Sequence, residues 1–210
     1  MANITLYGTP ISTYVRTARL LLAEANVDYG LKDIGIFNGD NKTDSYLSKH
    51  PFGKIPTLEI EGDTLYEINA ITYFINEKFA AGKFAPADLM TRSHMYQIIS
   101  IVSSYLYSPA VSVLTIENLV KPGQGKEIDQ QAVESAIAPT QKALNAIEDI
   151  ATGNPYLFGS GLTIADFYLI PIFVYLSKTP QFEAVTANAP KLKDWWNKVQ
   201  TLDSVKEVCG

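Results

Sequence analysis

Strand-like patterns in this chain stop near residue 80, and everything after them reads as helix. That switch constrains the fold more than any other feature. ITLY, Ile4–Tyr7, is a short β-prone run closed by Gly8 and Pro10. From Thr13 the period changes: Tyr14, Ala18, Leu21 and Ala25 share one face, with Val15 and Leu22 beside it, which is helical spacing. Ser12 or Thr13 stands where that helix would be capped. VDYGLKDI, from Val27, reads as a second strand, and residues 43–49 as one or two helical turns. PTLEI and TLYE, joined by Glu61-Gly62-Asp63, read as a β-hairpin. Ile71, Phe74, Ile75 and Phe79 then mark one face of a helix. The order is β-α-β-α-β-β-α. A strand–helix–strand unit pairs in parallel through its crossover, and a closing hairpin adds an antiparallel edge, so a mixed four-stranded sheet is expected.

Residues 81–90 read as a linker, with Gly82 and Pro86. A long helical stretch starts near Thr91, and Pro109 should kink or break it. KPGQGKEI, from Lys121, is a loop; a helix then runs from about Asp129 to Ala151, with Pro139 inside it. LTIADFYLIPIFVYLSK is entered through Thr163-Ile164-Ala165-Asp166, a capping-box variant. It is apolar on most sides, so it should be the buried central helix. APKLKDWWNKV opens a further helix, with Pro190 near its first turn. The expected domains are therefore an α/β domain at 1–80, the linker, and an all-α domain at 91–210.

Charge excludes some function classes. Seventeen Lys and Arg against 22 Asp and Glu leave a net charge of −5, and the basic residues are dispersed. They form no footprint for nucleic acid and no polybasic patch for an anionic membrane. The longest apolar tract, FYLIPIFVYL from Phe167, is too short to span a bilayer. MANITLYG has neither the basic segment nor the apolar core of a signal peptide. The one cysteine, Cys209, allows no internal disulfide, which fits a reducing compartment; it is expected to be an exposed bystander. A cytoplasmic protein without nucleic-acid or membrane partners is the expectation. His50 and His94 have no ligand spacing, so no metal is expected.

Several segments resemble one family. LYGTPISTYVR (residues 6–16), YLSKHPFGKIPTLE (46–59, close to the family's NPFGKVP), YEINAI (66–71, against the family's E-S-x-A-I), LTIADFYLIP (162–171) and APKLKDWWNKV are similar, in order, to the cytosolic glutathione transferases of the serine type, phi or theta-like. The resemblance implies a thioredoxin-like N-terminal domain and an all-helical C-terminal domain. It also implies glutathione as co-substrate, conjugated as its thiolate to small apolar electrophiles, no metal, and a homodimer in which Phe52 is a candidate wedge or else local core.

Site residues follow position by position. Ser12 begins the first helix and precedes Arg16 by the S-x-x-x-R spacing of the serine-type members. A hydroxyl donating to sulfur there favours the thiolate; the plainer role is a helix cap. Tyr7 is a rival, because other branches of the family use a tyrosine near this strand's end. Pro56 is implied to follow a cis bond that turns the Ile55 backbone toward the cysteinyl part of glutathione; the alternative is an ordinary trans proline opening an edge strand. Asn41 and Lys42 are implied to approach the glycine carboxylate, with Lys54 also flanking the tripeptide, unless the lysines are only solubilising. Glu67 is implied to accept from the γ-glutamyl ammonium, or only complements a helix dipole. The next family position is a serine that holds the γ-glutamyl carboxylate, and here it is Ile68. That departure motivates two alternatives: a non-catalytic binding or assembly module with a weakened site, or a site reshaped for another thiol or acidic ligand. The second substrate is expected between the domains, against Ile11 and the helical face of Tyr105 and Ser108, which could equally be core.

Overall fold

A computed structural model of the chain describes residues 3–210. They form two units: one runs to Phe84 and includes Asp203–Gly210, and the other spans Ala85–Leu202.

The first unit is built on a four-stranded sheet of order β2-β1-β3-β4. The strands are β1 (Ile4–Tyr7), β2 (Gly30–Lys32), β3 (Thr57–Ile60) and β4 (Asp63–Tyr66). β1 and β2 pair in parallel across α1 (Thr13–Glu24), and the two other pairings are antiparallel. The mixed sheet expected from the crossover and the hairpin is the one observed. Glu61 (φ 52°) and Gly62 (φ 95°) make the hairpin turn; two left-handed residues match the twist of the flanking strands. β2 is shorter than VDYGLKDI suggested, only three exposed residues; a short edge strand offers little for another chain to pair with. Asp40–Lys42 forms a 3-10 turn, followed by α2 (Asp44–Leu47) and later α3 (Ile68–Ala80). Leu6, Leu20, Leu21, Leu58, Ile71 and Ile75 form the core, all with 0% exposure.

The named elements of the second unit are all helices. In α4 (Leu89–Ile101), the Asp88 carboxylate accepts from the Thr91 N–H at 2.8 Å. The helix continues through Val102–Leu106 and Ser108–Val120 in π geometry. Each hydrogen bond there spans one residue more than in an α-helix: Tyr107 N–H reaches the Val102 carbonyl, and Lys121 N–H that of Ile116. The expected break at Pro109 is present as a 50° bend between Leu89–Leu106 and Ser108–Gly123. Proline supplies the cause, because it has no N–H to donate and its ring crowds the preceding turn. There follow α5 (Lys121–Gly123), α6 (Gln130–Ile150), α7 (Ile164–Leu176), α8 (Phe182–Val185) and α9 (Pro190–Val199). Every residue of α7 except Tyr175 is buried, as its all-round apolar sequence suggested. Asp166 anchors its start. The carboxylate accepts from Thr163 N–H and Oγ1 (both 2.7 Å), Leu157 N–H (3.1 Å) and Trp195 Nε1 (2.7 Å). Among the described residues no single helix is long and apolar enough to cross a membrane.

The domain boundaries differ from the sequence reading at one end. Residues 203–210, expected in the helical domain, cluster with the first unit. Here α10 (Asp203–Cys209) turns Val205, Val208 and Cys209 inward onto α1. Arg19 Nη1 donates to the Val208 carbonyl at 3.2 Å, and Ser204 Oγ donates to Glu24 Oε1 at 2.5 Å. Cys209 is therefore buried, not the exposed bystander expected: it lies on the apolar face of a short amphipathic helix, which its position near residue 210 did not reveal.

Candidate functional site

The strand register gathers the site. Tyr7 at the end of β1 sits opposite Lys32 at the end of β2 and Thr57 at the start of β3, and Thr57 sits opposite Tyr66 at the end of β4. Four connections therefore leave one end of the sheet: the loop carrying Ser12, the segment carrying Asn41 and Lys42, the Ile55–Pro56 entry to β3, and the Glu67 turn into α3. All lie within the first unit.

Ser12 occupies the N-cap position of α1 with extended backbone, φ −67° and ψ 133°. Its N–H donates to the Thr9 carbonyl at 3.1 Å, and its carbonyl accepts the Arg16 N–H at 2.9 Å. Its hydroxyl makes no capping hydrogen bond. The usual work of a serine at this position is to accept from a first-turn N–H, and this side chain does not do it. The rival hydroxyl is engaged elsewhere. Tyr7 is 6% exposed and donates to Glu59 Oε2 at 3.3 Å. Lys49 pairs with the same carboxylate; that hydrogen bond holds the Glu59 carboxyl below its usual range and pushes the Lys49 ammonium up.

The Ile55–Pro56 bond is cis, as the resemblance implied. Among the described residues no backbone hydrogen bond engages the Ile55 N–H or carbonyl. The segment before it is pinned instead: Asn41 Nδ2 donates to the Gly53 carbonyl at 2.7 Å, and the Tyr46 hydroxyl donates to the Lys54 carbonyl at 2.6 Å. Burial is the main reason the Tyr46 phenol is held above its ordinary range, partly offset by its hydrogen bond with Thr57. The Asn41 amide nitrogen is thus committed to the loop that carries Ile55, while Lys42 and Lys54 are exposed at the rim.

Glu67 is exposed and has φ 70° and ψ 117°. A non-glycine residue held there costs about 1–3 kcal/mol, and such positions cluster at ligand clamps. Its carbonyl accepts the first helical bond of α3, from Ile71 N–H at 3.1 Å. The N–H groups ahead of that bond have no partner within the helix and carry the positive end of its dipole. Ile68, the first residue of α3, is half-buried.

Sequence reasoning missed His50. It is 1% exposed, and its ring lies 4.9 Å from that of Tyr66 and 6.2 Å from that of Phe52, which is itself 69% exposed. Burial pushes the imidazole pKa down, and the nearby Glu67 carboxylate opposes the shift. His50 therefore packs against Tyr66, the residue before Glu67. The available signal was the substitution itself, KHPFGKIP against NPFGKVP. Of the residues expected at the second-substrate site, Ile11 is 57% exposed in the first unit, while Tyr105 (68%) and Ser108 are exposed on the π-helical stretch of the second. Among the described residues no group of three or more His, Cys, Asp or Glu could hold a metal ion.

Comparisons with known proteins place the chain in a family. The family described as Glutathione S-transferase, N-terminal domain, matches residues 2–77, and Glutathione S-transferase, C-terminal domain, matches residues 94–203. Glutathione S-transferase F13 of Arabidopsis thaliana is 31% identical over 91% of this chain and 88% of its own length. Glutathione S-transferase F6 of the same plant is 28% identical over 99% and 100%. Among solved structures, glutathione transferase F7 from Populus trichocarpa has a TM-score of 0.84 at 31% identity, covering 98% of this chain and 97% of its own. A glutathione S-transferase I bound with lactoylglutathione has a TM-score of 0.84 at 26% identity over 98% of each chain.

Proposed function

This chain belongs to the glutathione S-transferase family, and we propose that it conjugates glutathione to small apolar electrophiles with Ser12 as the sulfur activator. One observation carries the reading: Ser12 holds the N-cap position of α1 while its hydroxyl leaves the helix uncapped. That hydroxyl is free to donate to sulfur. A hydrogen bond to a charged group contributes about 1.5–3 kcal/mol, which lowers a thiol pKa near 8.5 by roughly one to two units. The thiol proton passes to solvent and the sulfur lone pair forms the new C–S bond; an aryl halide then loses halide with its bonding pair, whereas an enone keeps all its atoms and its displaced π pair takes up a proton from solvent. The ligand of the lactoylglutathione-bound neighbour supports glutathione as the co-substrate. In this reading the Ile55 backbone pairs with the cysteinyl unit, Lys42 draws the glycine carboxylate beside Asn41, Lys54 flanks the tripeptide, and Glu67 accepts from the γ-glutamyl ammonium. The enzyme works as a homodimer in the cytoplasm, and a single monomeric species in sedimentation at high concentration would remove that part.

Turnover of wild type and Ser12→Ala against a panel of aryl halides and enones tests the proposal. Ser12→Ala should lower kcat by about tenfold or more at neutral pH while leaving KM for glutathione within about threefold. No glutathione-dependent turnover by the wild type on any electrophile would sink it. Ile68 favours a second reading, a binding or assembly module of the same fold with a weakened site; micromolar glutathione affinity by calorimetry would count against it.

A further inference from the structure

Arg16 joins two parts of the first unit that are far apart in sequence. Its side chain is 7% exposed. Its Nε donates to the Pro10 carbonyl at 3.2 Å, and its Nη2 donates to the Cys209 carbonyl at 3.4 Å. Pro10 is two residues before Ser12, in the loop between β1 and α1. The carbonyls at the end of α10 lack helical partners and form the negative end of its dipole, which suits a guanidinium. Arg19 completes the arrangement on the Val208 carbonyl but has no bond to the loop. Arg16 also holds Ser12 through the main chain, since its N–H donates to the Ser12 carbonyl.

We propose that Arg16 is a positioning residue for Ser12: it ties the Pro10 carbonyl to the end of α10 and so fixes where the Ser12 hydroxyl stands relative to the glutathione sulfur. The inference rests on the reading of Ser12 as sulfur activator. A guanidinium is needed because only a planar fork with several donors meets two separated carbonyls at once. A lysine keeps the buried charge but presents a compact head to one of them. With the tie broken, the loop between Gly8 and Ser12 samples more positions, and the hydroxyl meets the thiolate less often.

The test is the pKa of enzyme-bound glutathione, followed by the ultraviolet absorbance of the thiolate as pH is raised. Ser12→Ala should raise that pKa by roughly one to two units. Arg16→Lys should raise it by several tenths of a unit in the wild-type background and by nothing further in the Ser12→Ala background, the non-additivity of residues acting as one. Arg16→Gln, neutral and also able to reach only one carbonyl, repeats the cycle if the lysine variant does not fold. Arg19→Gln loosens the same helix end without touching the loop. It should lower the unfolding temperature and leave the thiolate pKa where it was. Equal shifts from Arg16→Lys in both backgrounds, no shift in the wild-type background, or an Arg19→Gln shift as large as that of Arg16→Lys would each overturn the proposal. An unchanged pKa in Ser12→Ala alone would instead overturn the Ser12 reading on which it stands.

Discussion

Replacing Ile68 by serine should tighten glutathione binding, and the gain can be worked from the start of α3. Ile68 is the first residue of that helix; its N–H precedes the first helical hydrogen bond, and its side chain is half-buried. A serine there keeps the N–H and adds a hydroxyl donor for the γ-glutamyl carboxylate. A hydrogen bond to a charged partner contributes about 1.5–3 kcal/mol, so Kd should fall roughly ten- to a hundredfold at 1.4 kcal/mol per decade. The substitution removes apolar burial. Full burial of an isoleucine stabilises by about 1.5–3 kcal/mol, and a half-buried one by roughly half of that, so the fold should lose about 1 kcal/mol. Calorimetric titration with glutathione, alongside a urea unfolding curve, measures both terms. Ile68→Ala separates volume from chemistry: it clears the side chain without supplying a donor, and its Kd should stay near wild type. If Ile68→Ser folds and its Kd moves by less than about threefold, well under one hydrogen bond, the γ-glutamyl carboxylate does not bind at this helix start.

Three further outcomes follow from other sites. Glu67→Gly should relieve the backbone at φ 70° and stabilise the fold by about 1 kcal/mol, while glutathione affinity falls about tenfold with the lost carboxylate; an unchanged unfolding midpoint would refute the strain. Asp166→Ala leaves four donor groups without their acceptor and should cost about 3–5 kcal/mol in chemical denaturation; a loss below about 1 kcal/mol would show that the network is dispensable. The His50 pKa in the folded protein is lowered, chiefly by burial. Unfolding therefore takes up a proton as pH falls below the unfolded value of about 6.5, so stability is complete above that pH and declines toward the folded pKa. His50→Asn should flatten the decline, and an unaltered slope would assign it to other groups.

The order of strands and helices in the first unit was legible because each element is short and the apolar period switches cleanly between them. ITLY, the helix from Thr13 and the hairpin appear where their patterns put them. Pro109 marked its bend because proline acts on the local backbone. What was hidden depends on contacts distant in sequence or on geometry that composition does not encode. Glu67 at positive φ follows a tyrosine and precedes an isoleucine, with no glycine or asparagine at its position to announce it. The π register of residues 102–120 shifts every hydrogen bond by one residue while leaving an apolar helix looking like any other. His50 is buried and packs against Tyr46, Phe52 and Tyr66, and no periodic pattern predicts that packing. Within the candidate site, Ser12, Ile55, Pro56 and Glu67 became candidates through their resemblance to family segments. The commitment of the Asn41 amide to Gly53 depends on the fold that brings the two together.

The return of residues 203–210 to the first unit also sets a schedule for synthesis. The strands, α1 and α3 leave the ribosome early, but the helix that covers α1 and receives Arg16 and Arg19 comes 118 residues after Phe84 (202 − 84). At roughly 5–20 residues per second, that gap lasts about 6–24 s. Throughout it, the face of α1 destined for Val205, Val208 and Cys209 is without its cover, and the Pro10 carbonyl has only half of its tether. The thioredoxin-like unit is in this sense finished last, although its residues are made first, and an excised N-terminal fragment would need residues 203–210 restored before it matched the unit described above.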